Sequence, residues 1–101
     1  EVSGTSALEG TKIIGIGDIT LQTEYIIKKI EFTLEEAGFS LADVVRTRIF
    51  IKDISKWEEV AQVHSYLFGT VMPASTLVEV SNLIHPDLLL EIEAQAVKEN
   101  T

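Results

Sequence analysis

Glu91 has the clearest route to chemistry in this chain. It stands in Leu90-Glu91-Ile92-Glu93, an alternating run that sets carboxylates on one strand face. A carboxylate held there can orient or deprotonate a water within hydrogen-bond reach, or simply be a solvated or salt-bridged strand residue. Ser75, after Pro73-Ala74, offers a hydroxyl to an anion or merely ends the Pro73 turn; with no base beside it, it is no nucleophile. Arg46 and Arg48 alternate with Val45 and Thr47 and place two guanidinium groups on one face, free to meet an anion or to pair with Glu79, Glu91 or Glu93. His64 falls on an apolar helical stripe and reads as a satisfied, partly buried histidine, and His85 reads as a turn residue. Trp57 reads as core or helix entry. There is no cysteine, and the two histidines lack metal-ligand spacing. We therefore expect no thiolate chemistry, metal or cofactor.

The elements that must position these groups follow from periodicity. Gln22 to Ala37 is predicted as a helix, with Thr23, Ile26, Ile27, Ile30, Leu34 and Ala37 in one stripe. Asp18 or Thr20 can cap its start, and Gly38 can take the left-handed position after its end. Val44 to Lys52 is a strand with Val45, Thr47, Ile49 and Ile51 on one face and Arg46, Arg48, Phe50 and Lys52 on the other. Ser55 and Glu58 have capping-box spacing and open a second helix running to Gly69, with Trp57, Val60, Ala61, His64, Leu67 and Phe68 as its buried stripe. Thr76 to Ser81 and Leu88 to Val97 are strands, and Ser3 to Ala7 and Lys12 to Ile16 are shorter extended pieces. The order β-α-β-α-β-β predicts an α/β (α+β) domain with a mixed sheet and two helices on one face. The second face should carry Phe50, Leu77 and Leu89 beside Arg46, Arg48, Glu79, Glu91 and Glu93, with Ser75 on that side too. Such a face is too apolar for water and too charged for a dry core, which points to association with sister subunits.

The 101 residues suit one domain, and 46% of them are apolar. Acidic residues outnumber basic ones 16 to 8, for a net charge of -8. Phosphate binding gains affinity by neutralisation with Lys and Arg, so nucleic acid and anionic membranes are disfavoured as partners. No apolar run is long enough to span a bilayer, and the composition fits an intracellular, cytoplasmic protein.

Several stretches, taken in order, resemble one family. They are Leu34-Glu35-Glu36-Ala37-Gly38 with Leu41-Ala42-Asp43-Val44-Val45, Phe50-Ile51-Lys52-Asp53, Pro73 to Val80, and Glu91-Ile92-Glu93-Ala94. This set is similar to the Rid family (RidA/YjgF, reactive intermediate imine deaminases). The resemblance covers nearly the whole chain. It implies a chorismate-mutase-like fold, a homotrimer with a central barrel, and small-molecule pockets in the clefts between subunits. It also implies hydrolysis of imines and enamines of the 2-iminopropanoate type to keto acids and ammonia, without cofactor. Ser3-Gly4-Thr5 resembles the end of the family's first strand region, so residues 1–101 read as one Rid-type domain lacking its N-terminal strand.

The resemblance implies that Glu91 positions the hydrolytic water and that Ser3, Ser75, Thr76 and Leu77 line the ligand site. One departure bears on chemistry. The family's Pro-Ala-Arg-Ser is here Pro73-Ala74-Ser75-Thr76, so the arginine that grips a substrate carboxylate is replaced by Ser75. A serine cannot make the bidentate, charge-assisted pair. The family's pocket asparagine falls at Ala61 and its cysteine at Leu77. Arg48 is a candidate replacement clamp, a structural ion pair being the alternative. The functional expectation is a Rid-like homotrimer acting on an imino or keto acid. The alternatives are a non-catalytic metabolite-binding or regulatory trimer and, disfavoured by charge, an endoribonuclease or translation inhibitor.

Overall fold

A computed structural model describes residues 1–98 of the chain. In chain order the elements are strands β1 (Val2–Thr5), β2 (Leu8–Glu9) and β3 (Lys12–Ile13), helix α1 (Ile19–Glu36), strand β4 (Val44–Ile51), helix α2 (Trp57–Phe68), and strands β5 (Ala74–Glu79) and β6 (Leu90–Ala96). β2 and β3 form a small hairpin of their own. The other four strands make one sheet in the order β1-β6-β4-β5. β6 runs antiparallel to both β1 and β4, while β4 and β5 are parallel neighbours joined through α2. The expected order and the mixed sheet are both present.

α1 forms because its apolar residues repeat at helical spacing and its ends are satisfied. The Asp18 carboxylate accepts from the Leu21 N–H at 3.0 Å. At the other end Gly38, with φ +86°, turns the chain so that the Phe39 N–H reaches the Leu34 carbonyl at 2.8 Å. Ile19, Thr23, Ile26, Ile27, Ile30 and Leu34 are buried, whereas Ala37 caps the helix and is exposed. The α1 stripe packs with Val60 and Phe68 of α2 on Ile49, Ile51, Leu90, Ile92 and Ala94 of the sheet. Each such aliphatic side chain contributes about 1.5–3 kcal/mol of burial.

α2 opens differently from the expectation. Asp53, not Ser55, is the cap. Its carboxylate accepts from the Ser55 N–H at 3.0 Å and from the Ser55 hydroxyl at 2.7 Å, starting a short 3-10 turn over Ile54–Lys56 that runs into α2. With the Ser55 hydroxyl turned back to Asp53, the Ser55–Glu58 capping box does not form. Of the stripe expected to be buried, Val60 and Phe68 are buried and His64 and Leu67 half-buried. Trp57 and Ala61 are exposed, because α2 packs beside α1 by a narrower face than the apolar spacing suggests.

Two bulges reset strand faces. In β4 an extra residue lies between the pairs Val44↔Ala96 and Arg46↔Gln95. Val45 is thrown outward, and Val44 takes the buried place expected for Val45. In β1, Ser3 and Gly4 lie between the pairs Val2↔Ala94 and Thr5↔Ile92, so two residues oppose Glu93 alone.

Candidate functional site

Cross-strand partners share a face, and the β4–β5 register therefore decides where the candidate residues point. Thr47 pairs with Ser75, Arg48 with Thr76, Ile49 with Leu77 and Phe50 with Val78. On the neighbouring strand, Arg48 pairs with Glu93 and Phe50 with Glu91. The open face thus carries Arg48, Phe50, Thr76, Val78, Glu91 and Glu93. Ser75 and Leu77 lie on the helix-covered face, Leu77 packed against the core. This corrects the expectation that Ser75 and Leu77 share the face of Arg46, Arg48 and Glu91. The alternation of β5 holds, but the face carrying Thr76 and Val78 is the open one, and Val78 is 42% exposed.

On the open face, Glu91 is half-buried between Phe50 of β4 and the β1 bulge. A Cβ built on Gly4 would stand 2.7 Å from the Glu91 Cδ and 2.8 Å from Oε1. The absence of a side chain at Gly4 is what lets the carboxylate lie against β1. Ser3, next to it, is exposed, and its carbonyl accepts from the Thr5 hydroxyl at 3.0 Å. Arg48 is occupied: its Nε donates to Glu93 Oε1 at 2.8 Å, and its Nη2 stands 3.8 Å from a Glu1 oxygen. The pair is half exposed and contributes at most about 1 kcal/mol. Within one chain Arg48 and Ser75 are on opposite sides of the sheet, so Arg48 cannot supply a cation beside the Ser75 of its own chain.

Ser75 has a different company. The Thr47 hydroxyl, buried beneath the sheet, lies 3.1 Å from Ser75 Oγ and 2.9 Å from His64 Nε2. The His64 ring packs on Phe68 with centroids 4.5 Å apart. A hollow of about 220 Å³ opens here, lined by His64, Ser65, Phe68, Met72, Pro73 and Ser75 among others. His64 is a partly buried, hydrogen-bonded histidine, as its place on the helical stripe predicts. Its contact with Thr47 has no signal in the linear pattern. A second hollow, near the start of α1, holds Lys52 and Lys56 with Asp53, and Lys52 Nζ donates to the Pro86 carbonyl at 2.8 Å. Among the described residues no three His, Asp or Glu side chains gather as a metal site would need. No helix among them is long and apolar enough to cross a membrane.

Burial lowers the His64 pKa from its ordinary 6.5. Below pH 6.5 the unfolded chain takes up a proton that the folded chain refuses until a lower pH. The stability tied to His64 is therefore fully present above that value and lost as pH falls through the folded pKa. Urea midpoints at about pH 7.5 and about pH 5.5 should show the loss, and His64→Gln should reduce it. An unchanged pH dependence in that variant would remove His64 as its source.

Two helices on one face of a four-stranded mixed sheet, with a carboxylate set against a glycine on the open face, define an α+β class of small domain. The chain belongs to the Endoribonuclease L-PSP family, the YjgF-type family that its sequence resembles, and matches it over residues 1–98. It is 46% identical over 83 residues to a RutC family protein of Pyrococcus abyssi, a match that takes in 82% of this chain and 65% of the relative. The chain thus spans slightly under two-thirds of the length of that relative. It is 35% identical over 96 residues to the 3-aminoacrylate deaminase RutC of Acinetobacter baylyi, covering 94% of this chain and 75% of that one. Among solved structures, a Mycobacterium tuberculosis member of the YjgF/YER057c/UK114 family superimposes with a TM-score of 0.82 at 47% identity, covering 93% of this chain and 74% of that one.

Proposed function

We propose that the protein hydrolyses reactive imines or enamines in pockets formed between copies of the chain in a homotrimer. The observation that carries this reading is Glu91, a half-buried carboxylate seated against Gly4 on an uncovered sheet face, in a chain related to a 3-aminoacrylate deaminase. Glu91 would hold a water against the imine carbon. As the water oxygen bonds to that carbon, the carboxylate takes a water proton and passes it to the imine nitrogen, giving a neutral carbinolamine. The carboxylate then takes the carbinolamine hydroxyl proton and delivers it to the amine nitrogen as the C–N bond breaks, so that ammonia leaves and the carbonyl forms. The products are a keto compound and ammonia, and no redox step is involved.

Ser75 and Glu91 are on opposite faces of one sheet, so a pocket containing both requires two copies. The open face, with Phe50 and the exposed Val78 beside charged residues, is a surface suited to that association. Arg48 on that face stays paired with Glu93, and Ser3 and Thr76 would lie near the seam. The test is ammonia release from 2-iminopropanoate generated in place by an amino-acid oxidase, and from an imine without a carboxylate generated by an amine oxidase. Acceleration of either over buffer, by a protein that light scattering finds trimeric, is the expected result. A trimer that accelerates neither would sink the reading. The hollow at Ser75 has no Lys or Arg among its lining residues, and that observation favours a non-catalytic metabolite-binding role as the second reading.

A further inference from the structure

The His64–Thr47–Ser75 cluster is more than a satisfied set of polar groups. Thr47 Oγ1 has one proton and two neighbours, at 2.9 Å and 3.1 Å. If it donates to Ser75, His64 Nε2 must carry a proton and donate to Thr47. Ser75 then keeps its own proton to offer outward. If Thr47 donates to His64 instead, Ser75 donates to Thr47 and offers a lone pair outward. Both arrangements keep the two hydrogen bonds, and they differ in what the exposed end presents.

That end opens into the hollow of about 220 Å³ whose lining includes His64, Ser65, Phe68, Met72, Pro73 and Ser75 and no Lys, Arg, Asp or Glu. An anion entering it would lose water without meeting a cation, a loss that a single hydroxyl does not offset. A neutral group with a donor or an acceptor would be matched by whichever arrangement the relay adopts. Phe68, Met72 and Pro73 supply apolar walls for the rest of a small molecule.

We propose that this hollow selects the uncharged polar end of a small ligand, a carbonyl, imine or amide, over a carboxylate. Ser75 makes the contact, and Thr47 and His64 act as positioning residues that set its proton. The inference rests on the reading that Ser75 belongs to the ligand pocket, and it narrows the substrate class to imines whose bound end carries no carboxylate.

The test uses two molecules of nearly equal shape, propionamide and propionate, titrated into the full chain while NMR follows the His64 ring nitrogens and the Ser75 amide. Propionamide is expected to shift both and to bind about tenfold more tightly than propionate. Thr47→Val should abolish the response of His64 and weaken propionamide binding, and Thr47→Ser, which keeps the hydroxyl, should restore both. Propionate binding as well as propionamide, or a His64 ring that responds equally in Thr47→Val, would overturn the proposal, as would the absence of any shift at Ser75. Amide binding without imine turnover would sink the hydrolase reading alone. Turnover of 2-iminopropanoate with no preference for the amide would sink the selectivity alone.

Discussion

Gly4→Ala is expected to lower imine hydrolysis about 100-fold while changing stability by less than about 1 kcal/mol. The added Cβ would fall 2.7 Å from the Glu91 Cδ, a separation that forces something to move. What moves is the end of a flexible side chain, so the backbone and the core are spared. The carboxylate, however, leaves the place from which it would hold water, and a displacement of about 1 Å in a reacting group can cost about two powers of ten. Glu91→Gln keeps the shape and removes the base, and it should cost at least as much. Measuring kcat/KM and the melting temperature of both variants separates a site effect from a folding effect. Full activity in Gly4→Ala would mean that the position of Glu91 against β1 is irrelevant to turnover. Lost activity accompanied by a collapsed melting temperature would mean that the β1 bulge is structural.

The second large effect concerns Gln22. Its side chain is fully buried and ties three segments together. Nε2 donates to the Asp87 carbonyl at 2.9 Å and the Gly15 carbonyl at 3.2 Å, and Oε1 accepts from the Leu89 N–H at 2.9 Å. Gln22→Ala leaves the Asp87 carbonyl and the Leu89 N–H without partners, leaves the Gly15 carbonyl only the Asp18 N–H, and opens a cavity. We expect a loss of about 3–4 kcal/mol in a urea titration. Gln22→Glu is the sharper probe, because it retains the acceptor for Leu89 but sets a carboxylate oxygen against two carbonyls. It should be markedly less stable than the parent at neutral pH and recover part of the difference in acid, where the carboxyl is protonated and can donate. A Gln22→Glu protein as stable as the parent would show that these contacts contribute nothing net.

Gln22 also marks where linear reading stops. It stands at the edge of the expected helix as an ordinary polar residue, because its partners lie in the loop before the helix and in a distant one before β6, which periodicity does not connect. The helical stripe of α1, by contrast, was legible since Ile26, Ile27, Ile30 and Leu34 meet the core through local spacing alone. The alternation of β6 was legible for the same reason. Ser75 was misplaced because alternation gives two faces without saying which one the helices cover. Only the parallel register of Thr47 against Ser75 decides it. Val45 was misplaced because a one-residue bulge leaves no mark in a β-branched run. Ser55 lost the cap to Asp53 because two capping residues stood within one turn. Glu91 stands out in the sequence as a strand carboxylate whereas its glycine seat does not, since the seat depends on a second bulge in a strand from the other end of the sequence.

That last pairing has a consequence for how the chain acquires its shape during synthesis. Val2 stands in register beside Ala94, so the chain must be made at least as far as β6 before β1 can join that strand. Until then the N-terminal segment waits while α1, β4, α2 and β5, whose contacts are closer in sequence, can assemble beside it. The seat of Glu91 accordingly forms late, and the candidate site comes into being only after β6 has been made.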